Sequence, residues 1–437
     1  MVDFSKLLNG NLEYETILEK YLGGKTPIHI TGVTGSQKSH FIYSICKRLN
    51  KKCIVITTDE VEAGRIKDDL SFLFGREISL FKNKEYVFYN VDASNHAGEI
   101  SRIKSIYNFV NGVGVVASIE SALKYTVSPD EFNENYKTYK VSDTIDIDLF
   151  ISSLLNMGYV NSYSVKNAGQ FSKRGSIIDV FSPALDNPVR IDLFDDEIDS
   201  LRLFDTQSQV SIENISEFTL IPVREIIYTK EKANEISEIL LKSKNENLYE
   251  DANRFKSYLN FASFDKYSPY FYDKVYSIVD YQDDDTLVFL DESKQSYEVA
   301  KTFYKEQNEI ITDLLDKNLM PKVKKPYLLD YANFISHIDE NKLFSLGSLS
   351  GQSVYITPKS LCPISSKTLH SYSGKTQFLY DDIRFWKKNG YKIIITLSSE
   401  QKVSHIHDEL LNENINSTIF KSGELNVQKS EVVLVCG

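Results

Sequence analysis

Apolar strands and amphipathic helices alternate along the first quarter of the chain. Short apolar runs bounded by turn residues predict buried strands, whereas apolar residues three or four positions apart predict helices. The predicted strands are 28–30, 53–56, 78–81 and 113–117, and the predicted helices are 10–26, 60–74 and 95–110, with a further apolar helical stripe over 41–49. This alternation predicts an α/β fold in which helices cover a parallel sheet.

The pattern changes after about residue 130. A short helix at 150–157 is followed by strand-like segments with turn residues between them, a spacing that predicts a mainly antiparallel α+β domain. These predicted strands are 162–165, 176–181, 189–194 and 201–204. Helices then resume, with the clearest at 231–241 and 248–258, and an apolar strand follows at 286–290.

The last part of the chain again alternates helix and strand. Helices are predicted at 377–388 and 400–411, and apolar strands at 393–397 and 432–436. This pattern predicts a small C-terminal α/β domain. The sequence stops just after the last of these strands, which suggests a truncated piece of a longer protein.

Composition excludes several classes of protein. The chain has 437 residues, 42% of them hydrophobic, and a net charge of −11, so we expect about three globular domains and no surface that grips nucleic acid throughout. The four cysteines have no Cys-x-x-Cys spacing, which indicates neither a zinc site nor a disulfide framework and favours the reducing cytoplasm. The first residues form no signal peptide, and no apolar run is long enough to span a membrane.

A glycine-rich segment follows the first predicted strand of the α/β region. It fits the phosphate-binding loop of nucleotide hydrolases in all but one position, because glutamine stands where the pattern has its second glycine. The residues of this candidate site are Gly32, Gly35, Gln37, Lys38 and Ser39. A side chain at position 37 is expected to change the loop's conformation or to occupy the phosphate position, whereas Lys38 and Ser39 would still contact phosphate and magnesium if a nucleotide entered. The alternative is an inert turn between strand and helix.

A second candidate element of the same site lies far along the chain. The apolar strand 286–290 ends in Asp291 and Glu292, and such an acidic pair holds magnesium in nucleotide hydrolases with a phosphate-binding loop. The alternative is a polar strand end that caps the next helix.

The predicted strand 189–194 places an aromatic ring among charges. Val189, Ile191 and Leu193 share one face, so Arg190, Asp192 and Phe194 share the other. Exposed aromatic residues beside arginine are typical of protein-binding hot spots, and Arg174, expected at the head of the neighbouring strand, could extend this surface. The alternative is that Phe194 lies under a loop while Arg190 forms a weak surface ion pair with Asp192 or Asp195.

Taken together, these segments resemble the N-terminal half of bacterial transcription-repair coupling factors, whose first domains are similar to the excinuclease component UvrB. The resemblance covers essentially the whole chain, and its most specific part is the block around strand 189–194. The matching segments are Gly32 to Ser39, Gly169 to Phe181, Arg190 to Arg202, Phe204-Asp205 and Asp291 to Ser293.

The resemblance implies a split domain with a degenerate P-loop NTPase-like parallel sheet, formed by residues 1–130 and 228–350. It also implies an inserted antiparallel domain at 131–227 that binds the excinuclease component UvrA, and a small α/β domain at 365–437. In the family, the contact face matches Arg174, Arg190 and Phe194, and the loop residues together with Asp291 and Glu292 are vestigial. We therefore expect no catalytic residues, no metal and no cofactor for this segment.

The family's full-length protein implies further partners. It is an ATP-dependent and magnesium-dependent DNA translocase that releases RNA polymerase stalled at lesions on double-stranded DNA, and its first half brings in the excision repair machinery.

Two residues and one segment depart from the patterns of the related proteins. Val210 stands where the family usually has arginine, Lys294 stands where UvrB has histidine, and the segment from Tyr86 to Asn95 is too short for the DNA-clamping hairpin of UvrB.

Other functions remain open on the sequence. The chain could be an active ATPase or helicase if Gln37 is tolerated, or a damage-binding protein of the UvrB type. A purely structural DNA-binding fragment fits the acidic composition poorly, because phosphate contacts dominate affinity for DNA.

Overall fold

A computed structural model describes residues 2–86, 88, 97–243, 245–257, 262–348, 354–367, 369, 372 and 375–436. The expected short segment from Tyr86 to Asn95 lies largely outside these residues. The first region alternates strands and helices, as its sequence pattern predicts. Its elements are β1 Val2–Asp3, α1 Leu12–Leu22, β2 Ile28–Thr31, α2 Ser36–Leu49, β3 Lys52–Thr57, α3 Glu60–Phe74, β4 Ser79–Phe81, α4 Ala97–Val110, β5 Gly114–Ser118, α5 Ile119–Ala122 and α6 Pro129–Asn135.

The second region is rich in strands. Its elements are β6 Lys137–Lys140, α7 Ile147–Asn156, β7 Val160–Asn161, β8 Gln170–Arg174, β9 Ile177–Val180, β10 Val189–Phe194, β11 Glu197–Phe204, β12 Ser211–Ile215 and β13 Glu217–Leu220. One local prediction is wrong here, and strand β8 was missed. Residues 162–165 are not a strand, because the chain leaves the sheet after the short strand β7, and the strand 170–174 was not predicted.

The chain then returns to helices and parallel strands. These elements are α8 Lys230–Lys242, α9 Tyr249–Lys256, β14 Thr286–Asp291, α10 Ser293–Asp316, α11 Tyr331–Ser336, β15 Leu343–Gly347 and β16 Ser360–Pro363. The last region contains α12 Thr376–Lys388, β17 Ile393–Leu397, α13 Glu400–Asn412, β18 Thr418–Phe420, β19 Gly423–Glu424 and β20 Val432–Cys436.

A seven-stranded sheet organises the first and third regions. Its order is β16-β2-β15-β14-β3-β5-β4, and every pairing is parallel. Its central strands are buried on both faces, since Ile54 and Ile56 of β3 join one apolar cluster while Cys53 and Val55 join the other. The sheet includes β16, which lies beyond residue 350. Because β2 and β14 both flank β15, their carboxyl ends meet at one edge of the sheet.

The second region has its own sheet and core. The order is β12-β11-β10-β9-β8-β7, antiparallel except for β7 with β8, and α7 packs Phe150 and Leu154 against its inner face. A two-stranded sheet pairs β6 with β13. The predicted combination of a parallel sheet and a mainly antiparallel sheet is therefore confirmed.

The last region forms a three-stranded parallel sheet in the order β17-β20-β18. It is joined to the start of the chain, because β1 pairs with β19. Among the described residues, no helix combines the length and the apolar character that crossing a membrane requires.

Candidate functional site

The phosphate-loop residues meet the acidic pair, as the order of the strands requires. Lys38 lies in the first turn of α2, and its Nζ is 2.6 Å from Oδ1 of Asp291 and 2.9 Å from Oε1 of Glu292. The side chains of Lys38 and Asp291 are only 7% and 1% exposed. The predicted neighbourhood of loop and acidic pair is therefore present in the structure.

One cation and two carboxylates make up this cluster, so the pairing leaves one negative charge in surplus. Burial disfavours the charge of Lys38, but the carboxylates of Asp291 and Glu292 outweigh that effect and raise the lysine's pKa. Burial raises the pKa of Asp291 to about 6, against the opposing effect of Lys38. Glu292 also accepts a hydrogen bond from the Ser348 backbone N–H at 2.9 Å. The lysine is thus already neutralised by side chains of its own chain.

Gln37 and Ser39 are engaged as well. The Gln37 Oε1 accepts a hydrogen bond from the Thr34 backbone N–H at 3.3 Å, and such loop N–H groups are the ones that cradle phosphate. The Ser39 hydroxyl donates to Oδ2 of Asp69 at 2.9 Å. The glutamine therefore folds back onto the loop, as the substitution for glycine suggested.

A segment after β16 crosses the loop at Gly32. Ile364 donates its N–H to the Thr31 carbonyl at 2.8 Å, and the Ser366 hydroxyl donates to the Gly32 carbonyl. A Cβ on Gly32 would clash with the carbonyl oxygen of Ile364, so this close packing requires glycine there. Gly35 has a φ of +55°, and a Cβ there would lie 3.8 Å from Nη1 of Arg65, an ordinary contact.

The side chains that would contact ATP and magnesium are already paired within the chain. A triphosphate would have to displace two carboxylates from Lys38 and the Gln37 side chain from a loop amide. Magnesium would have to compete with Asp69 for the Ser39 hydroxyl.

The outer face of the six-stranded sheet carries the other predicted residues. Along β10, Val189, Ile191 and Leu193 are buried against the core, whereas Phe194 points outward and is 78% exposed. The alternative in which Phe194 lies under a loop is therefore wrong.

Arg190 and Arg174 converge on a residue that the sequence pattern did not single out. Arg190 donates from Nε to Oδ1 of Asp179 at 2.8 Å and from Nη2 to Oδ2 at 3.1 Å, and Arg174 donates from Nη2 to the same Oδ2. Register explains the meeting, since Asp179 of β9 lies opposite Arg190 of β10. The alternative in which Arg190 pairs with Asp192 or Asp195 is therefore wrong as well. Arg174 ends β8 rather than beginning the next strand.

The three predicted contact residues differ in how far they reach solvent. The Arg174 side chain is 48% exposed and that of Arg190 only 17%. Arg190 is held from a second side by the ring of Phe204, whose centroid is 4.6 Å from the guanidinium carbon. Val210, on the adjoining loop, is exposed. Phe194 and Arg174 are therefore the accessible members of the set.

Asp192, two positions before Phe194, has its own partners on this face. It accepts hydrogen bonds from Arg202 and, at 3.0 Å, from the Ser200 hydroxyl. The outer face thus carries several paired charges, and Phe194 lies at the end of strand β10 on this face.

Sequence reasoning missed Asp179, although one signal was available. A charged residue inside the apolar run Ile177-Ile178-Asp179-Val180 must be exposed or paired, and here it is buried and paired twice. It also missed a buried cluster in which Glu225, near the end of the inserted region, binds Lys84 at 2.6 Å and Arg102 at 2.7 Å. No local pattern marks that cluster.

One family model matches part of the chain, and full-length relatives match nearly all of it. Residues 138–226 match the family model described as the UvrB interaction domain. The chain is 27% identical, over an alignment of 459 residues, to the transcription-repair-coupling factor of Bacillus subtilis (strain 168), covering 98% of this chain and 37% of that protein. Identity to the transcription-repair-coupling factor of Staphylococcus aureus (strain USA300) is 24% over 412 residues, covering 90% of this chain and 35% of that protein.

Solved structures add little. The match to a solved structure titled XPD helicase covers 99% of this chain and 79% of that chain, with 10% identity and a TM-score of 0.27. A TM-score this low does not indicate a shared fold.

The chain spans little more than a third of the length of the relatives it matches. Its resemblance to them nevertheless extends over nine-tenths or more of its own residues, and it includes the inserted region with its family model. The resemblance to this family is therefore confirmed: the chain is similar over most of its length to transcription-repair-coupling factors and is consistent with an N-terminal segment of one.

Proposed function

We propose that this chain recruits the excinuclease component UvrA through the outer face of its six-stranded sheet. The observation that carries the proposal is the exposure of Phe194 on the same outer sheet face as Arg174, within the region that matches the UvrB interaction domain. Exposed aromatic rings and guanidinium groups are the side chains that are enriched at protein interfaces and their hot spots.

The charge of this face defines the partner's chemistry. Arg174, Arg190 and Asp179 together carry one surplus positive charge, and the surplus reaches solvent through Arg174. A guanidinium fork suits a carboxylate, and the ring of Phe194 suits an apolar pocket. The matching surface on UvrA would therefore combine acidic side chains with a hydrophobic recess.

The parallel sheet serves this function as a scaffold. We assign it to a degenerate P-loop NTPase-like domain, because its loop is closed by Lys38, Gln37 and the segment from Ile364 to Ser366. An active ATPase would require all of these contacts to open. ATP and magnesium are therefore proposed for a motor elsewhere in the full-length protein and not for this segment.

The proposal extends to the full-length protein. A complete transcription-repair coupling factor would move along double-stranded DNA with ATP, release RNA polymerase stalled at a lesion, and use this segment to deliver UvrA to the site. The homology to proteins of that name supports this role.

Direct binding tests the proposal. We expect immobilised UvrA of the same organism to bind the wild-type chain in biolayer interferometry. Arg174→Glu should weaken binding on the order of a hundredfold, because a like charge would face the partner's carboxylates. Lys140→Glu is the control, since it reverses an exposed charge in the separate two-stranded sheet. Absence of wild-type binding, or equal affinity of wild type and Arg174→Glu, would refute the proposal.

A further inference from the structure

Asp179 lies at the centre of the proposed contact face without being able to touch a partner. Its side chain is fully buried, and it is held between Arg190 and Arg174. A buried carboxylate is costly unless it is paired and hydrogen-bonded, and here both carboxylate oxygens accept hydrogen bonds from guanidinium groups.

The pairing fixes the orientation of Arg190. Its Nε and Nη2 bind the two oxygens of one carboxylate, a fork geometry that sets the plane of the guanidinium. The ring of Phe204 and the Gln209 carbonyl, 3.4 Å from Nη1, hold the same group from other sides. Arg190 is thus a fixed cation just beneath the surface.

The pairing of Arg174 is looser and more exposed. Among the described residues it makes one side-chain hydrogen bond, from Nη2 to Asp179, which leaves the rest of its fork for a partner. Arg174 ends β8 beside Gly175, which has a φ of +64° in the hairpin turn. A long side chain at a strand end loses rotamer freedom when it binds, so a contact that holds it beforehand lowers the cost of association.

We propose that Asp179 is a positioning residue that preorganises Arg174 and Arg190 for carboxylates of the bound protein. The inference rests on the proposed function, since it names how that face achieves its affinity. Asp179 acts through the two arginines, and its own carboxylate never reaches the partner.

Positioning predicts a kinetic signature that a change in charge alone would not produce. Asp179→Asn raises the positive charge of the cluster by one, which favours encounter with an acidic partner and should leave the association rate equal or higher. Loss of the fixed geometry should instead appear as faster dissociation. The two rates therefore separate positioning from simple electrostatics.

The experiment measures association and dissociation rates for UvrA with the whole chain. We expect Asp179→Asn to weaken binding about tenfold, through the dissociation rate. Combined with Arg174→Ala and Arg190→Ala, the same substitution should cause almost no further loss, whereas with Phe194→Ala the two losses should multiply. Glu217→Gln, which removes an ion pair with Lys140 in the other sheet, is the control and should bind like wild type.

Each alternative result has a defined meaning. Unchanged or tighter binding of Asp179→Asn, or an equal loss with and without the two arginines, overturns the inference. If the wild-type chain binds and Phe194→Ala weakens it, the proposed function stands even when the inference fails. If thermal denaturation shows Asp179→Asn to be unfolded, Arg190→Lys replaces it, because it keeps the charge but cannot form the fork. Unchanged dissociation of that variant overturns the inference.

Discussion

Two clusters of three charged side chains, one at the phosphate loop and one on the outer face of the inserted sheet, combine the same groups in opposite proportions. At the loop, Lys38 is shared by Asp291 and Glu292. On the outer face, Asp179 is shared by Arg174 and Arg190.

The difference lies in which charge is in surplus and where it points. At the loop the surplus is a carboxylate, and burial raises the pKa of Asp291 toward neutrality. On the outer face the surplus is a guanidinium, and Arg174 carries it into solvent on the face that also exposes Phe194. The first cluster joins the start of α2 to the end of β14, whereas the second is proposed to present a charge to a partner. The tests below separate these two roles.

The largest expected effect is on stability, at the loop. Lys38→Ala leaves two carboxylates without their cation in a buried place and should lower the free energy of unfolding by about 3–5 kcal/mol. Urea denaturation measures this, with Lys47→Ala on the exposed side of α2 as the control. A loss as small as that of the control would mean that the Lys38 cluster does not hold the sheet edge together.

The next effect is a dependence of stability on pH. Asp291 has a folded pKa of about 6 against an ordinary value of 3.8, so the folded state binds the proton more tightly. Its contribution to stability is therefore full below about pH 4 and is lost as pH rises to about 7, a change of about 3 kcal/mol.

The matching variant is Asp291→Asn, which removes that titration. Between these pH values the wild type should lose stability relative to Asp291→Asn in urea denaturation. Asp285→Asn, on an exposed loop, controls for the loss of any carboxylate. If the free energy of unfolding changed with pH in the same way for wild type and Asp291→Asn, the raised pKa of Asp291 would be contradicted.

A substitution on the outer face should have a smaller effect, about 2 kcal/mol in the free energy of binding. Folding stability should not change. Phe194→Ala should weaken binding to UvrA about thirtyfold, because an exposed aromatic anchor is lost. Its melting temperature should stay unchanged, since most of the ring already lies in solvent. Leu149→Ala, exposed on α7 at the opposite side of the sheet, is the matched control. Equal affinities of the two variants would remove Phe194 from the contact.

The smallest effect is expected from repairing the loop motif. Gln37→Gly restores the phosphate-loop pattern, but Lys38 remains paired with Asp291 and Glu292 and the Ile364 segment remains over Gly32. Calorimetry with ATP and magnesium should therefore show no binding in either form. Micromolar affinity in the variant would show that Gln37 alone closed the site.

Much of this arrangement could be predicted because it depends on local patterns. The meeting of Lys38 with Asp291 follows from parallel strands that end at one sheet edge, and the outward position of Phe194 follows from alternation along β10. Both predictions are confirmed by the structure.

The remainder depends on register and on distant contacts, which one sequence does not show. The partner of Arg190 lies 11 residues earlier on a neighbouring strand, so it could be named only once the pairing of β9 with β10 was known. Gly32 is covered by a segment more than 330 residues away. The position of Arg174 was predicted wrongly because strand β8 was not recognised.

The most direct test of the central claim compares three chains in one binding titration against UvrA. We expect wild type and Gln37→Gly to bind equally and Phe194→Ala to bind about thirtyfold more weakly. Weakened binding of Gln37→Gly together with full binding of Phe194→Ala would contradict it, because the loop and not the outer face would then carry the interaction.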